Sequence, residues 1–286
     1  MLTYPIIQLK KDKERSVQRF HPWIFSGALH AFDVNLNDGD IVNVTDSKSD
    51  FLCVGHFFKG SIAVKILSFK EEIINQDFWN QKIQKAFQLR KTLGLIDNKT
   101  TNCFRLIHAE GDNCPGLIVD VYDTTAVIQC HTIGMHKAIQ EIKNAIQSEL
   151  QFIDTIYDKS TAYLPKEYAE TSSNSYLLGT SKEIIALENK NKFLIDIEHG
   201  QKTGFFLDQR DNRNLLTKYC ADKSVLNTYC YSGGFSIYAL NNMAKEVVSI
   251  DSSKTAMELV AKNIAANFKN KTVKHTTICD DVFHFF

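Results

Sequence analysis

The chain has 286 residues, of which 44% are hydrophobic and 23% charged, enough for two or three domains that bury a core without disulfide or metal staples. Thirty-three basic residues balance 33 acidic ones, so the molecule as a whole is no polycation, and a nucleic-acid contact has to come from a local patch. The seven cysteines, at 53, 103, 114, 130, 220, 230 and 279, never fall within four residues of one another, which excludes a Cys-x-x-Cys pair and reads as reduced thiols of a cytoplasmic protein.

In chain order, the opening MLTYPIIQLKKDKERS has neither a long apolar run nor a cleavage site, so no leader is expected. No apolar stretch approaches the roughly 18 residues that span a bilayer, and no membrane partner is expected. Residues 1–70 read as short strands of a small β-barrel. SIAVKILSF alternates, with Ile62, Val64 and Ile66 on one face and Lys65 on the other. Residues 71–185 read as a separate α+β unit. Its helix places Phe78, Ile83, Phe87 and Leu89 near helical spacing and stops at Gly94. FRLIHAEGD, NCPGLIVDVYD and TAVIQCHT follow as strands joined by the turn EGDNCPG, then a helix at 135–150 with Ile139, Ile142 and Ile146 on one stripe.

Residues 186–286 end in regular alternation. LDQRDNRNLLTKYC reads as a helix capped by Asp208. Next come the strand KSVLNTYCY, the helix GGFSIYALNNM, the strand KEVVSID, the helix SKTAMELVAKNIAANF and the strand VKHTTICDD. Strands alternating with helices pair in parallel, and ligands of such sheets bind beyond the carboxyl ends of the strands. YSGGF sits at that point, where Gly233 and Gly234 let main chain approach a ligand. Asp251, some 17 residues after Gly234, closes the second strand and can accept hydrogen bonds from ribose hydroxyls. Asp280 and Asp281 close the third and could meet the amino edge of an adenine. The turn lacks the G-x-G-x-x-G of dinucleotide sites, which favours S-adenosylmethionine, a nucleoside without pyrophosphate.

HAEGDNCPGLIVDVY, QKTGFFLDQRDNR, LNTYCYSGGFS and CDDVF resemble the bacterial large-subunit (23S) ribosomal RNA cytosine-C5 methyltransferases with an N-terminal PUA domain, from about residue 5 to the end. The resemblance implies a multidomain α/β protein: a PUA-like RNA-binding barrel (1–70), a middle α+β domain with a β-hairpin (71–185) and a Rossmann-like methyltransferase domain (186–286). It implies S-adenosyl-L-methionine as cofactor and ribosomal RNA as partner. Tyr231, Ser232, Gly233 and Gly234 match the donor loop, Asp251 the ribose acid and Asp280 the acid after the third strand. Phe206, Gln209 and Arg210 border the donor site. Arg210 could pair with the donor carboxylate, or else with a nearby acid such as Asp211.

One departure matters. The family's Asp-Pro-Pro-x-Phe loop and Ser-Cys-Ser-like motif are not in this sequence, whose four prolines (5, 22, 115, 165) never follow an aspartate. The expectation is therefore an incomplete methyltransferase domain with its catalytic residues beyond Phe286, and a chain inactive as it stands. Cys230 and Cys279 read as structural, Cys279 as core. The first strand would then expose an edge that favours homodimers.

Toward RNA, Lys10, Lys11, Lys13, Arg15 and Arg19 stand against Asp12 and Glu14, with His21 or Trp23 to stack on a base and Lys59 as a further cation. His108, His131 and His199 have no metal-like spacing, and no metal site is expected. Two other readings compete: an RNA-binding module without chemistry, and a NAD-type oxidoreductase, which the missing G-x-G-x-x-G disfavours.

Overall fold

The computed structural model describes residues 4–32, 35–269 and 271–285. The chain forms two compact units: Met1–Leu93 with Arg105–Thr180, and Gly94–Phe104 with Ser181–Phe286.

The first unit begins with β1 (Ile6–Leu9), the short helix α1 (Arg15–Gln18), β2 (Trp23–Phe25), β3 (Leu29–Ala31), β4 (Ile41–Thr45), β5 (Phe51–Phe57) and β6 (Ile62–Ser68). These strands make one sheet in the order β2-β6-β5-β4-β1-β3, antiparallel except where β1 meets β4. Register shifts at Ile24/Phe25, Val44/Thr45 and Val54/Gly55 bend it around Ile7, Leu9, Val42, Val44, Phe57 and Val64. In β6, Val64 and Ile66 are buried with Lys65 half-exposed between them, but Ala63 and Leu67 are buried as well, so both faces of that strand are covered.

The rest of the unit comprises α2 (Gln76–Thr92), β7 (Cys103–His108, whose first two residues are counted in the second unit), β8 (Leu117–Tyr122), β9 (Thr125–Cys130), α3 (Ile133–Lys137), α4 (Ile139–Glu149), β10 (Thr155–Asp158), α5 (Lys166–Ala169) and β11 (Ser175–Leu178). Its sheet runs β11-β10-β9-β8-β7. Asn75 caps α2 by accepting from the Phe78 N–H at 3.1 Å, and Gly94 (φ +71°) follows its end. Phe78 and Ile83 are buried as the spacing predicts. Leu89 is exposed instead, because Trp79, Ala86 and Arg90 complete the buried face. Ile139, Ile142 and Ile146 form the buried stripe of α4.

The barrel strands and the α+β region pack into one compact unit. Trp23 donates to Glu110 (Nε1···Oε1 2.9 Å), and Lys137 pairs with Asp40 at 3.1 Å. Gly39 approaches Gly134 so closely that a Cβ on it would lie 2.7 Å from the Gly134 nitrogen.

The second unit holds the hairpin β12 (Ile184–Glu188) and β13 (Asn191–Ile195), then α6 (Arg210–Leu216), β14 (Ser224–Thr228), α7 (Gly234–Asn241), β15 (Glu246–Asp251), α8 (Lys254–Phe268), β16 (His275–Cys279) and α9 (Val282–Phe285). A boundary at 185/186 would cut β12; the unit begins instead before the hairpin. β14, β15 and β16 pair in parallel in that order. Asn263 of α8 donates no proton to the hairpin; its Oδ1 accepts the Leu194 N–H at 2.8 Å, as Asn267 Oδ1 accepts that of Lys192 at 2.9 Å, and so the helix is stitched to β13. Asp208 does not cap a helix: it lies in a 3-10 turn (Leu207–Gln209) that precedes α6. Cys279 is exposed rather than core, because β16 is the last strand of the described sheet. Among the described residues no helix is long and apolar enough to cross a membrane.

Candidate functional site

β14 leads into Tyr229–Gly234, a turn whose backbone is costly. Tyr229 (φ +53°), Tyr231 (φ +46°) and Gly233 (φ +77°) are all left-handed, a region that bulky side chains avoid. Neighbouring groups hold it there. The Cys230 N–H donates to the Ile250 carbonyl at 3.1 Å, and the Gly233 N–H to that of Cys230 at 2.8 Å. The Tyr231 hydroxyl donates to the Gly204 carbonyl and accepts from the Gln201 N–H, both at 3.0 Å. The Phe206 ring meets that of Tyr231 edge-on, 5.4 Å between centroids. Gly233 caps α7, and a Cβ there would lie 3.2 Å from two methyls of Val260. Ser232 is buried, its carbonyl accepting from Asn263 Nδ2 at 2.8 Å.

Asp251 closes β15 beside this turn. Its Oδ2 accepts from the Tyr231 N–H and its Oδ1 from the Ser253 N–H, each at 2.9 Å. One carboxylate thus ties the end of the second strand to the loop after the first. An acid at this position, beside a glycine turn that opens a helix, fits the hydroxyls of a nucleoside ribose. Asp280 lies just after β16, exposed, where Oδ1 accepts from the Asp281 N–H at 2.7 Å. Asp281 accepts from the Phe283 N–H at 2.8 Å and so starts α9.

Gln209 and Arg210 are engaged elsewhere. Gln209 accepts from Asn212 at 3.0 Å. Arg210 pairs with Glu188 (Nε···Oε2 3.2 Å) and donates to the Cys103 carbonyl, so its acidic partner is Glu188 and not Asp211. Arg213, which sequence reasoning missed, is the centre of this region. It grips Glu188 with two hydrogen bonds of 2.8 Å, donates to the Phe206 carbonyl at 3.0 Å and lies over the Phe205 ring. Tyr238 adds a hydroxyl to Glu188 Oε1 at 3.0 Å. The Arg213 Cδ would lie 3.0 Å from a Cβ on Gly234, so the arginine side chain supports the underside of the turn. Two arginines three apart on α6 share one face, which was the available signal.

The buried thiols Cys103, Cys114 and Cys230 are not set up as nucleophiles. Burial pushes Cys230 up to about 12, helped by the Asp251 charge, and Cys103 and Cys114 likewise to about 12. On the barrel, Lys10, Lys11, Lys13, Arg15 and Arg19 are exposed. Lys59 is exposed in the turn after β5, where its N–H donates to Asp38 Oδ1 at 2.7 Å. Trp23 is half-buried and spent on Glu110, which leaves His21 as the exposed member of that pair. Among the described residues no cluster of His, Cys, Asp or Glu could hold a metal.

Residues 7–69 match the model of a PUA-like domain, and residues 117–277, more than half of the chain, that of an S-adenosylmethionine-dependent methyltransferase. The chain is 35% identical to the ribosomal RNA large subunit methyltransferase I of Tolumonas auensis, over 91% of this chain and 66% of that protein. Against that of Alteromonas mediterranea it is 35% identical over 96% of this chain and 69% of the relative. The chain thus spans about two thirds of the length of the curated relatives it matches. Its fold is shared with a protein from Streptococcus mutans described as a SAM-dependent methyltransferase, at a TM-score of 0.81 and 23% identity, covering 98% of this chain and 72% of that one. A second such structure, complexed with S-adenosylhomocysteine, has the same TM-score and identity, covering 98% and 70%. With the methyltransferase model matched over more than half of its length and a relative 35% identical of which it covers 69%, the chain belongs to the S-adenosylmethionine-dependent methyltransferases, in the family that includes ribosomal RNA large subunit methyltransferase I.

Proposed function

We propose that this chain binds S-adenosylmethionine in its second unit and large-subunit ribosomal RNA on its barrel, and that it serves methylation of a cytosine at C5. The observation that carries the reading is the Asp251 carboxylate bonded to the turn of Tyr231, within a stretch that matches the methyltransferase model. Tyr231, Ser232, Gly233 and Gly234 would lie along the donor, Asp251 would take its ribose, and Asp280 its base. Phe206 would border the pocket through Tyr231. Gln209 and Arg210 would act by shaping it, since their polar groups are already partnered. The relatives named for ribosomal RNA methylation support the substrate.

Methylation at cytosine C5 needs a thiolate that adds to C6, transfer of the methyl from sulfonium to C5, and a base that takes the C5 proton as the thiol leaves. Six of the seven thiols are buried, and Cys279 is exposed. Self-association belongs to the same reading. β14 is an edge of the described sheet, with Leu226 exposed, and ultracentrifugation reads whether copies pair there. A ribosome-borne substrate would be met in the cytoplasm, which is the localisation this reading carries.

Calorimetry with S-adenosylhomocysteine and with NAD tests the cofactor: heat with the first alone supports the reading, and heat with NAD alone replaces it by the oxidoreductase. Incubation with labelled donor and unmodified ribosomal RNA tests the accepting position: label recovered as C5-methylcytosine supports the reading, and label on another nucleotide replaces it.

A further inference from the structure

Two exposed phenylalanines sit within the basic segment of the barrel. Phe20 is 71% exposed and Phe25 52%. Phe20 also has a left-handed backbone (φ +62°), an outlier for a bulky aromatic residue. It is held there by its N–H to the Val17 carbonyl at 2.9 Å, and its ring meets Phe69 edge-on at 5.2 Å. Both features cost stability, one as forfeited burial and one as strain, which is the pattern of a residue retained for contact with something else.

His21 joins the group. Its ring lies 6.3 Å from that of Phe25, and its Nδ1 accepts from the Trp23 N–H at 3.2 Å, which fixes the ring's orientation. Cations are held close by. The Lys10 ammonium donates to the Gly27 carbonyl at 3.0 Å, two residues from Phe25. Lys11, Lys13, Arg15 and Arg19 are exposed around it, against the acids Asp12 and Glu14. Five cations to two acids name a polyanion, and exposed ring faces name one whose bases are free. In a duplex the bases are stacked on one another, whereas unpaired nucleotides offer both faces to protein aromatics.

We propose that Phe20, His21 and Phe25 form a stacking platform for unpaired nucleotides, with Lys10, Lys11, Lys13, Arg15 and Arg19 meeting the phosphates. This rests on the RNA reading above and adds the form of RNA taken. Trp23 takes no part, because its indole is bonded to Glu110.

The test is fluorescence anisotropy of the full chain with a short single-stranded oligoribonucleotide and with the same sequence as a duplex. A strand carrying 2-aminopurine reports stacking directly by quenching. The single strand is expected to bind the tighter. Phe25→Leu and Phe20→Leu keep bulk but lose the π-face, and each is expected to weaken the single strand about tenfold, as for one stacked base, with no change for the duplex and with loss of quenching. Phe25→Trp is expected to retain both. Lys10→Gln with Lys11→Gln and Lys13→Gln weakens both forms of RNA. If the unsubstituted chain binds RNA and the lysine variant binds less, but the leucine variants bind like the parent, the platform is wrong and the RNA reading survives. Leucine variants that alter self-association but not RNA affinity also overturn it, in favour of a protein contact. If the unsubstituted chain binds neither form, both fall.

Discussion

Asp251 accepts through Oδ2 the backbone N–H of Tyr231, 20 residues earlier in the chain, at 2.9 Å. The two ends of adjacent parallel strands are thereby clamped where a nucleoside would sit. Asp251→Ala is expected to weaken S-adenosylhomocysteine at least about tenfold, since hydrogen bonds to a charged group contribute about 1.5–3 kcal/mol. Calorimetry reads the affinity. Ser253→Ala is the control. Its hydroxyl caps α8 by accepting from the Ala256 N–H at 3.2 Å, so its loss should cost about 1 kcal/mol of stability and leave affinity alone. Equal affinity loss in both variants would reduce Asp251 to a loop anchor.

Gly233→Ala probes the turn itself. At φ +77° a side chain costs roughly 1–2 kcal/mol, and its Cβ would meet two Val260 methyls at 3.2 Å. The expected loss is about 2 kcal/mol in urea unfolding, with weaker donor binding. Val260→Ala removes the methyls but not the backbone cost. Adding it should therefore recover only the steric part, beyond its own cavity penalty. Full recovery would show that the left-handed conformation costs nothing here.

Periodicity and the resemblance between them located the parts of this site that follow from chain order. The alternation of strands and helices after residue 206 put the glycine turn and Asp251 at neighbouring strand ends, and β14 and β15 pair as that requires. What was not legible depends on which distant groups meet. Arg210 reads from sequence as a partner of the donor carboxylate or of Asp211, but the acid it meets, Glu188, lies 22 residues back on the hairpin. Arg213 shows no motif, yet packing makes it the more buried of the two. Cys279 reads as an apolar strand residue. It is exposed because its exposure depends on what flanks β16, which alternation along one strand does not encode. Trp23 reads as a stacking residue until Glu110, 87 residues on, takes its indole N–H.

Glu188→Gln should destabilise the second unit strongly. The carboxylate is fully buried and answers Arg213, itself nearly buried, as well as Arg210 and Tyr238. Removing the negative charge leaves two guanidinium groups facing an amide. Breaking a buried pair this way costs roughly 3–5 kcal/mol. Urea unfolding measures it, and fluorescence of Trp23 and Trp79, both in the first unit, should report that unit's own transition. A loss below about 1 kcal/mol would mean the arginines find water instead.

His56 makes the first unit acid-sensitive. Burial holds its imidazole down at about 4, with the Lys137 and Lys65 charges acting in the same direction. Its Nδ1 is buried without a hydrogen-bond partner in the structure, and the ring packs so closely on Gly134 that a Cβ there would lie 2.4 Å from it. The unfolded chain takes up the proton near the ordinary histidine value of about 6.5, and the folded one only near 4. Between those values the unfolded state binds more protons, so stability is intact above about pH 6.5 and falls as pH drops toward 4. The full span amounts to roughly 3 kcal/mol. His275, lowered by burial in the second unit, adds a loss of the same sign there. His56→Asn removes the titration from the first unit alone. The difference in unfolding free energy between parent and variant should therefore shift by this amount between about pH 7 and about pH 4, and a pH-independent difference would mean that the folded protein admits the proton without cost.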